Sequence, residues 1–370
     1  MTEIKANTYS VFITNTISKE INRFLKDSTV GYSSLFILVD ENSLKYCYPQ
    51  LVEHIPAFKD AEIIEIESGE ENKNLEICSQ IWATLSDYGA DRQSLLVNLG
   101  GGVIGDMGGF IASVFKRGIG FINIPTTLLS QVDASIGGKV GIDLNHLKNE
   151  IGLFNDPLAV FVDSSFLNTL DKRQLLSGFA EMIKHSLIAD SGYWKKIKNA
   201  NFARPDTFDT LIESSIQIKN KVVEKDPLEK NSRKTLNFGH TIGHALESYF
   251  LEQKPEKSLL HGEAIAMGMI CEAYLSAEIL KLSKESLKEI TSFILSIYKP
   301  VDISEKDTQR LIELMSHDKK NTKGKLNFSL ISAIGKCEIN LTPDIKQIKR
   351  SLNYYLEQAG SNGDTKLGLN

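Results

Sequence analysis

Two histidines four residues apart, His240 and His244, stand in Leu236-Asn237-Phe238-Gly239-His240-Thr241-Ile242-Gly243-His244. On a helix that spacing puts both imidazoles on one face, where they can hold one metal ion. The chain has only 7 histidines, so the pairing is not a product of abundance. A third, His261, opens His261-Gly262-Glu263, and Glu181 lies in the apolar helical pattern Phe179-Ala180-Glu181-Met182-Ile183-Lys184-His185. A carboxylate in such a setting needs a strong partner, and a metal cation is an adequate one. Imidazoles with one carboxylate suit zinc, and three protein ligands leave positions open for substrate. The competing explanation is a pair of solvated or hydrogen-bonded helix histidines.

Upstream, Ser94 to Thr127 reads SLLVNLGGGVIGDMGGFIASVFKRGIGFINIPTT, a pattern of strand, glycine turn, helix and strand. Glycines in such a turn let the backbone approach a phosphate, and the helix N-terminus offers free N–H groups to it. The same glycines fit a tight turn in an ordinary βαβ unit, because GGG-x-x-GD is not the common dinucleotide fingerprint. A third group of residues is cationic. Lys139 sits in Gly137-Gly138-Lys139-Val140-Gly141 after Gln131-Val132-Asp133, and Lys148-Asn149 follows. Lys184 is three residues from Glu181, on the same helix face; Lys219, Arg233 and Lys319-Lys320 come later. Most lysines are merely solvated. Those that flank glycines or share a face with a candidate ligand suit an anionic substrate bearing phosphate or carboxylate. A dinucleotide, a metal and an anion together equip a protein for alcohol oxidation by hydride transfer.

The elements that must position these residues fall into two halves. Ser10–Ile13, Leu35–Val39, Ile63–Ile66, Leu95–Leu99, Phe121–Ile124 and Ala159–Val162 read as strands, with helices at Ile17–Leu25 and through Ile81-Trp82-Leu85. Their unbroken apolar runs suit strands covered on both faces. Polar residues at the strands' carboxyl ends, such as Asp40-Glu41-Asn42 and Ser68-Gly69-Glu70-Glu71-Asn72-Lys73, lie where open α/β sheets meet ligands. From Asp171 the pattern is helical: Leu175–Ile188, Phe208–Val223, Leu236–Tyr249, Glu263–Leu280, Lys284–Ile297 and Asp307–Met315. Lys325–Ile331 reads as a strand, and a last helix is signalled by Thr342 as N-cap and Pro343 at its first position. The expected division is a Rossmann-like, nucleotide-binding α/β domain over 1–170 and a mainly α-helical domain over 171–357. A disordered tail is expected over 358–370. A cleft between domains is a common place for a ligand.

At 370 residues the chain suits two domains. Its hydrophobic content of 42% and charged content of 24% are those of a soluble globular protein. A net charge of -5 argues against nucleic acid as a partner. No apolar run has the length of a membrane span, and no signal-peptide pattern opens the sequence. Cys47, Cys78, Cys271 and Cys337 lack metal-type spacing and read as reduced thiols of a cytoplasmic protein.

The sequence resembles the 3-dehydroquinate synthases of the shikimate pathway, members of the sugar phosphate cyclase superfamily, from about Asp40 to Lys336. The motifs are GGGVIGD (100–106), KRG (116–118), IPTTLLSQVDASIGGKVGID (124–143), KNEIG (148–152), AEMIKH (180–185), LNFGHTIGHALE (236–247), HGEA (261–264) and DKK (318–320). The resemblance implies that Glu181, His240 and His261 hold zinc or cobalt, with His244 on the substrate side. Spacing alone pairs His240 with His244, so the family pattern redirects that reading. It implies NAD along Asp40, Asn42, Ser68, Gly69, Glu70, Glu71, Asn72, Lys73, Gly102, Val103, Ile104, Gly105, Asp106, Thr126, Thr127, Lys139, Lys148, Phe166, Leu167, Asn168 and Thr169. Lys139, Asn149, Lys184, one of Lys319 and Lys320, and Arg117 would grip the substrate phosphate, Arg117 from a second subunit of a homodimer. Lys219, Arg233 and Asn237 would hold the carboxylate and nearby hydroxyls, and Asp133 a ring hydroxyl.

The implied substrate is 3-deoxy-D-arabino-heptulosonate 7-phosphate. It would pass through oxidation at C5, phosphate elimination, re-reduction and an aldol closure. Leu147, where the family usually has glycine, and Lys116, usually apolar, depart from the pattern beside functional positions. The rival readings are an aminodehydroquinate or cyclitol synthase and a metal-dependent polyol or glycerol phosphate dehydrogenase.

Overall fold

The computed structural model describes residues 1–27, 29–145, 147–252, 257–301, 303–316 and 326–362. The chain divides into two compact units, Met1–Asp171 with Asn201–Glu224, and Lys172–Ala200 with Lys225–Asn370.

The first unit carries β1 (Thr2–Lys5), β2 (Ser10–Ile13), β3 (Leu35–Asp40), β4 (Glu62–Ile66), β5 (Leu95–Gly100), β6 (Gly120–Pro125), β7 (Lys139–Leu144), β8 (Leu147–Phe154) and β9 (Ala159–Val162). Seven of them form one sheet in the order β1-β2-β9-β6-β5-β3-β4, while β7 and β8 form a separate antiparallel hairpin. All pairings from β2 to β4 across the sheet are parallel; β1 alone is antiparallel, at one edge. Side chains alternate between two cores, as strand pleating requires. Leu35, Ile37 and Val39 join Ile17 and Ile21 of the helix Ile17–Leu25 on one face. Phe36 and Leu38 join Ile81 and Leu85 of the helix Leu75–Asp87, and Ile104 of the helix Gly102–Val114, on the other. This double cover is why these strands read as continuous apolar runs. β3 has β4 on one side and β5 on the other. The chain therefore reverses direction across the sheet there, and the carboxyl ends, Asp40 and Gly100, flank the crevice where such sheets take ligands.

The second unit is mainly helical: Lys172–Ala189, Ser191–Ile197, His240–Leu251, His261–Ile279, Lys284–Ile297, Thr308–Ser316 and Ile345–Asn362, with the antiparallel hairpin β10 (Phe328–Ala333) and β11 (Lys336–Leu341). The His261–Ile279 helix is buried on nearly every face, from Gly262 to Ser276, as a helix apolar all round must be. Glycines set its contacts. A Cβ on Gly268 would lie 2.0 Å from the carbonyl oxygen of Gly239, and one on Gly262 would lie 2.1 Å from that of Ser177. The helices of Glu181, His240 and His261 thus meet at backbone contact distance.

Several expectations change. The helical pattern places the segment 201–224 in the helical domain, but it belongs with the first unit. There Asn220 Nδ2 donates to the Lys5 carbonyl (2.9 Å) and Thr2 Oγ1 to Glu213 (3.2 Å). A helical pattern tells where a helix is, not which core its apolar face joins. The expected helix Leu236–Tyr249 is a 3-10 turn, Ser232–Asn237, then a break at Gly239 in the left-handed region (φ 81°), then His240–Leu251. The last helix starts later than Thr342-Pro343 suggests. Its cap is Asp344, whose carboxylate accepts from the Gln347 N–H while Gln347 Oε1 accepts from Asp344 N–H. It also runs to Asn362, so 358–362 is helix where a tail is expected; 363–370 lie outside the described residues.

Alanine in mid-helix normally gains about 1 kcal/mol over glycine. At Gly268 the backbone contact reverses the sign. Gly268→Ala is expected to lose about 1–3 kcal/mol, read as a lower denaturation midpoint at unchanged slope. An unchanged or raised midpoint would contradict the close crossing.

Candidate active site

In the second unit three helices bring one carboxylate and two imidazoles together as a candidate cation site. Glu181 is fully buried. Its Oε1 lies 3.6 Å from His240 Nε2 and 3.6 Å from His261 Nε2, and Oε2 pairs with Lys184 Nζ. The far nitrogen of each imidazole is already committed. His240 Nδ1 lies 3.1 Å from the Phe238 carbonyl, which can only accept, so that nitrogen carries the proton. His261 Nδ1 lies 3.3 Å from Glu247 Oε2, another acceptor. Both Nε2 atoms therefore face Glu181. This is the outer-shell pattern of metal-binding histidines, and the donor set suits zinc or a similar ion.

A second trio, His244, Glu247 and His261, also brings its ligand atoms within 4.8 Å of one another. It would spend Glu247, the partner of His261, as a ligand and leave the buried Glu181 outside the coordination, so the first trio is the better candidate. His244 instead stacks edge-on to His240, ring centroids 5.1 Å apart, half-buried. Burial disfavours the His261 imidazolium, but Glu181 and Glu247 outweigh it and push the pKa to about 9. The imidazole thus holds a proton whose place a bound cation takes.

Just before the His240 helix, Asp226 organises a loop. Its carboxylate accepts from the N–H groups of Lys230 (2.9 Å), Asn231 (2.6 Å) and Arg233 (3.1 Å). Arg233 is buried, with Nη1 on the Pro227 carbonyl (2.6 Å), and Asn237 Nδ2 donates to Glu229 (3.0 Å).

In the first unit most of the expected cofactor residues follow the carboxyl ends of β3, β4, β5, β6 and β9, and Lys139 and Lys148 stand on the β7-β8 hairpin. Gly101 caps the helix Gly102–Val114, so Gly102, Val103 and Ile104 supply its first N–H groups. Asp40 caps the helix Glu41–Tyr46 through Ser43 N–H (2.7 Å), and Asn42 is exposed on that helix. Glu41 ties Ser68 down by both its N–H (2.7 Å) and its hydroxyl (2.5 Å). Gly69 has a positive φ of 120°, where a Cβ would meet the Glu71 carboxylate at 2.5 Å, and Asn72 Nδ2 reaches back to the Ser68 carbonyl (3.1 Å). Lys73 is buried, and its Nζ donates to Asp106 Oδ2 and to Asn149 Oδ1, both at 2.6 Å. Burial works against this ammonium, but Asp106 and Glu70 hold its pKa up.

Thr126 N–H bonds the Gly100 carbonyl (2.9 Å), and Thr127 bonds Ser130 (2.9 Å). Lys219 Nζ grips Asp133 at both Oδ1 (2.7 Å) and the carbonyl (2.6 Å), where Ser130–Ala134 form a π-helical turn. Such turns recur at functional sites. Lys139 is exposed at the start of β7, and Lys148 Nζ lies 3.9 Å from Glu70. Phe166 and Leu167 are core side chains, Asn168 is exposed, and Thr169 Oγ1 caps back onto the Phe166 carbonyl (3.2 Å). Arg117 is exposed with a left-handed backbone (φ 73°), as is Lys116 (φ 49°). Lys319 and Lys320 lie outside the described residues.

Sequence reasoning misses two contributors, Asp226 and Glu247, and places Glu41 at a strand end without finding its partner Ser68. Each acts through another residue, by hydrogen bonds to backbone, hydroxyl or imidazole, and no spacing rule finds such partners. His240→Ala is expected to abolish tight metal binding, whereas His244→Ala keeps the metal. Metal content after dialysis decides; loss of metal in His244→Ala with retention in His240→Ala would shift the site to the second trio.

The family model for the 3-dehydroquinate synthase N-terminal domain matches residues 63–177, and that for the C-terminal domain matches 178–321. A 3-dehydroquinate synthase of Parabacteroides distasonis is 46% identical over 353 residues, 95% of this chain and 98% of that protein. One from Thermoanaerobacter pseudethanolicus is 35% identical over 352 residues, 94% and 98% of the two. Among solved structures, 2-deoxy-scyllo-inosose synthase with carbaglucose-6-phosphate, NAD+ and Co2+ superposes with a TM-score of 0.83 at 24% identity, covering 95% and 99% of the two chains. The 2-epi-5-epi-valiolone synthase of Streptomyces hygroscopicus, with NAD+ and Zn2+, gives 0.82 at 23%, covering 97% and 99%. These two establish the fold; the sequence relatives and the family models establish more. The chain belongs to the 3-dehydroquinate synthase family.

Proposed function

We propose that this chain is a 3-dehydroquinate synthase, an NAD- and divalent-metal-dependent carbon–oxygen lyase. It converts 3-deoxy-D-arabino-heptulosonate 7-phosphate to 3-dehydroquinate and phosphate. The observation that carries this reading is the buried Glu181 carboxylate facing two imidazole nitrogens whose far sides are already bonded, in a chain of this family. Zinc or cobalt at Glu181, His240 and His261 supplies Lewis acidity that lowers the pKa of a bound alcohol. NAD held by residues at the carboxyl ends of the sheet would supply a reversible hydride acceptor, so that the net reaction has no redox change.

The protein's own groups do the rest. Residues from both compact units enter this reading through the family pattern. Lys139, Asn149, Lys184 and one of Lys319 and Lys320 hold the phosphate. Fixing that dianion lets it act as the base for its own departure, so no protein carboxylate is assigned to the task. Lys219, Arg233 and Asn237 hold the carboxylate and neighbouring hydroxyls, and Asp133, oriented by Lys219, takes a ring hydroxyl. Arg233 is set by the Asp226 loop before substrate arrives, which lowers the ordering cost of binding. The exposed, left-handed Arg117 is assigned to a phosphate in a second copy of the chain, in a cytoplasmic homodimer.

The carboxylate set separates this reading from cyclases of sugar phosphates that carry no carboxylate and from polyol phosphate dehydrogenases. Protein supplied with NAD, zinc and the heptulosonate phosphate is expected to release inorganic phosphate with no net rise in 340 nm absorbance. Steady NADH accumulation, or no phosphate release, would overturn it.

A further inference from the structure

One fully buried carboxylate of the second unit has no part in the reaction as described. Glu272 lies in the middle of the His261–Ile279 helix, with no exposed surface. Its side chain crosses to the start of the His240–Leu251 helix. Oε2 accepts from Gly239 N–H at 2.6 Å, and Oε1 from Thr241 N–H at 3.1 Å and Ile242 N–H at 3.2 Å. That helix has no side-chain cap of its own, because its N-cap is Gly239. A carboxylate there satisfies orphan N–H donors and meets the positive end of the helix dipole.

The three donors bracket His240, the residue between Gly239 and Thr241. Gly239 is in the left-handed region, and its carbonyl is the atom that a Cβ on Gly268 would strike. The Glu272 clamp and the Gly268 contact thus fix the same turn from the same neighbouring helix. His261 begins that helix. One rigid element therefore carries one imidazole of the trio and holds the backbone of the other.

We propose that Glu272 is a positioning residue for the metal site: it sets where His240 Nε2 stands relative to His261 Nε2 and Glu181. This rests on the reading of Glu181, His240 and His261 as metal ligands. Removing a partner that orients a metal-binding histidine typically costs 10–100-fold in metal affinity.

The test is Glu272→Gln, which keeps the size, loses the charge and turns an NH2 toward amide donors. Affinity for Co2+ is measured by competition with a chelator, together with the visible spectrum of the cobalt protein, which reports ligand geometry. Expected are a fall in affinity of about 10–100-fold and an altered spectrum in a folded chain. Glu272→Asp, which keeps the charge and shortens the reach by one methylene, gives the same readouts should the glutamine variant not fold. Ser283→Ala is the control. It removes the side-chain cap of the Lys284–Ile297 helix, where Ser283 Oγ accepts from Ser286 N–H at 3.1 Å, and that helix carries no ligand. It should lower the melting temperature and leave cobalt affinity unchanged.

If the Glu272 variants lose thermal stability but bind cobalt like the parent, with the same spectrum, Glu272 is only a cap and the proposal fails. It fails equally if Ser283→Ala weakens cobalt binding as much. If the parent itself binds no cobalt, the reading of the trio fails, and this inference with it.

Discussion

The Glu181 carboxylate is held with no exposed surface, and its position depends on positive charge being supplied around it. Lys184, one turn further on the same helix, takes one oxygen. The other faces two imidazole nitrogens on two further helices. The arrangement explains why three helices cross at glycine contacts, why His261 pairs with Glu247, and why Glu272 reaches across to the turn of His240. Each brings a ligand in or fixes its orientation. A buried charge stabilises little by itself, but it punishes any packing that fails to deliver its partners.

The first unit solves a different problem. Its parallel sheet leaves backbone donors and polar side chains at the carboxyl ends of β3 and β5, where the strand order reverses. The polar groups there are tied to one another beforehand: Ser68 to Glu41, Lys73 to Asp106 and Asn149, and Lys219 to Asp133. Such pairing keeps long cationic side chains ordered, so less conformational entropy is lost when an anion is bound.

Much of this is legible in the sequence. The runs Leu35–Val39 and Leu95–Leu99 announce doubly covered strands because both faces are apolar. The motifs around Glu181, His240 and His261 point to one trio, whereas spacing alone favours His240 with His244. Both are four-residue neighbours on one helix, and His240 turns Nε2 to Glu181 at 3.6 Å while its ring meets that of His244 edge-on. What spacing cannot supply is which way each ring is turned, because that is fixed by Phe238, a carbonyl without a sequence signature, and by Glu247. The helix Asp209–Lys225 reads as part of the helical half and joins the first unit, since its partners, Lys5 and Thr2, come from the far N-terminus. Asp226 and Glu272 read as ordinary acids, and they act through backbone N–H groups that no pattern of side chains displays.

The chemistry turns on where a cation sits. Crystals of the zinc-loaded protein, with anomalous diffraction recorded on both sides of the zinc edge, locate it directly. One strong peak is expected at about 2.0–2.2 Å from His240 Nε2, His261 Nε2 and a Glu181 oxygen. A peak on His244 and Glu247, or none in protein loaded with zinc, would contradict the assignment of that trio as the metal site.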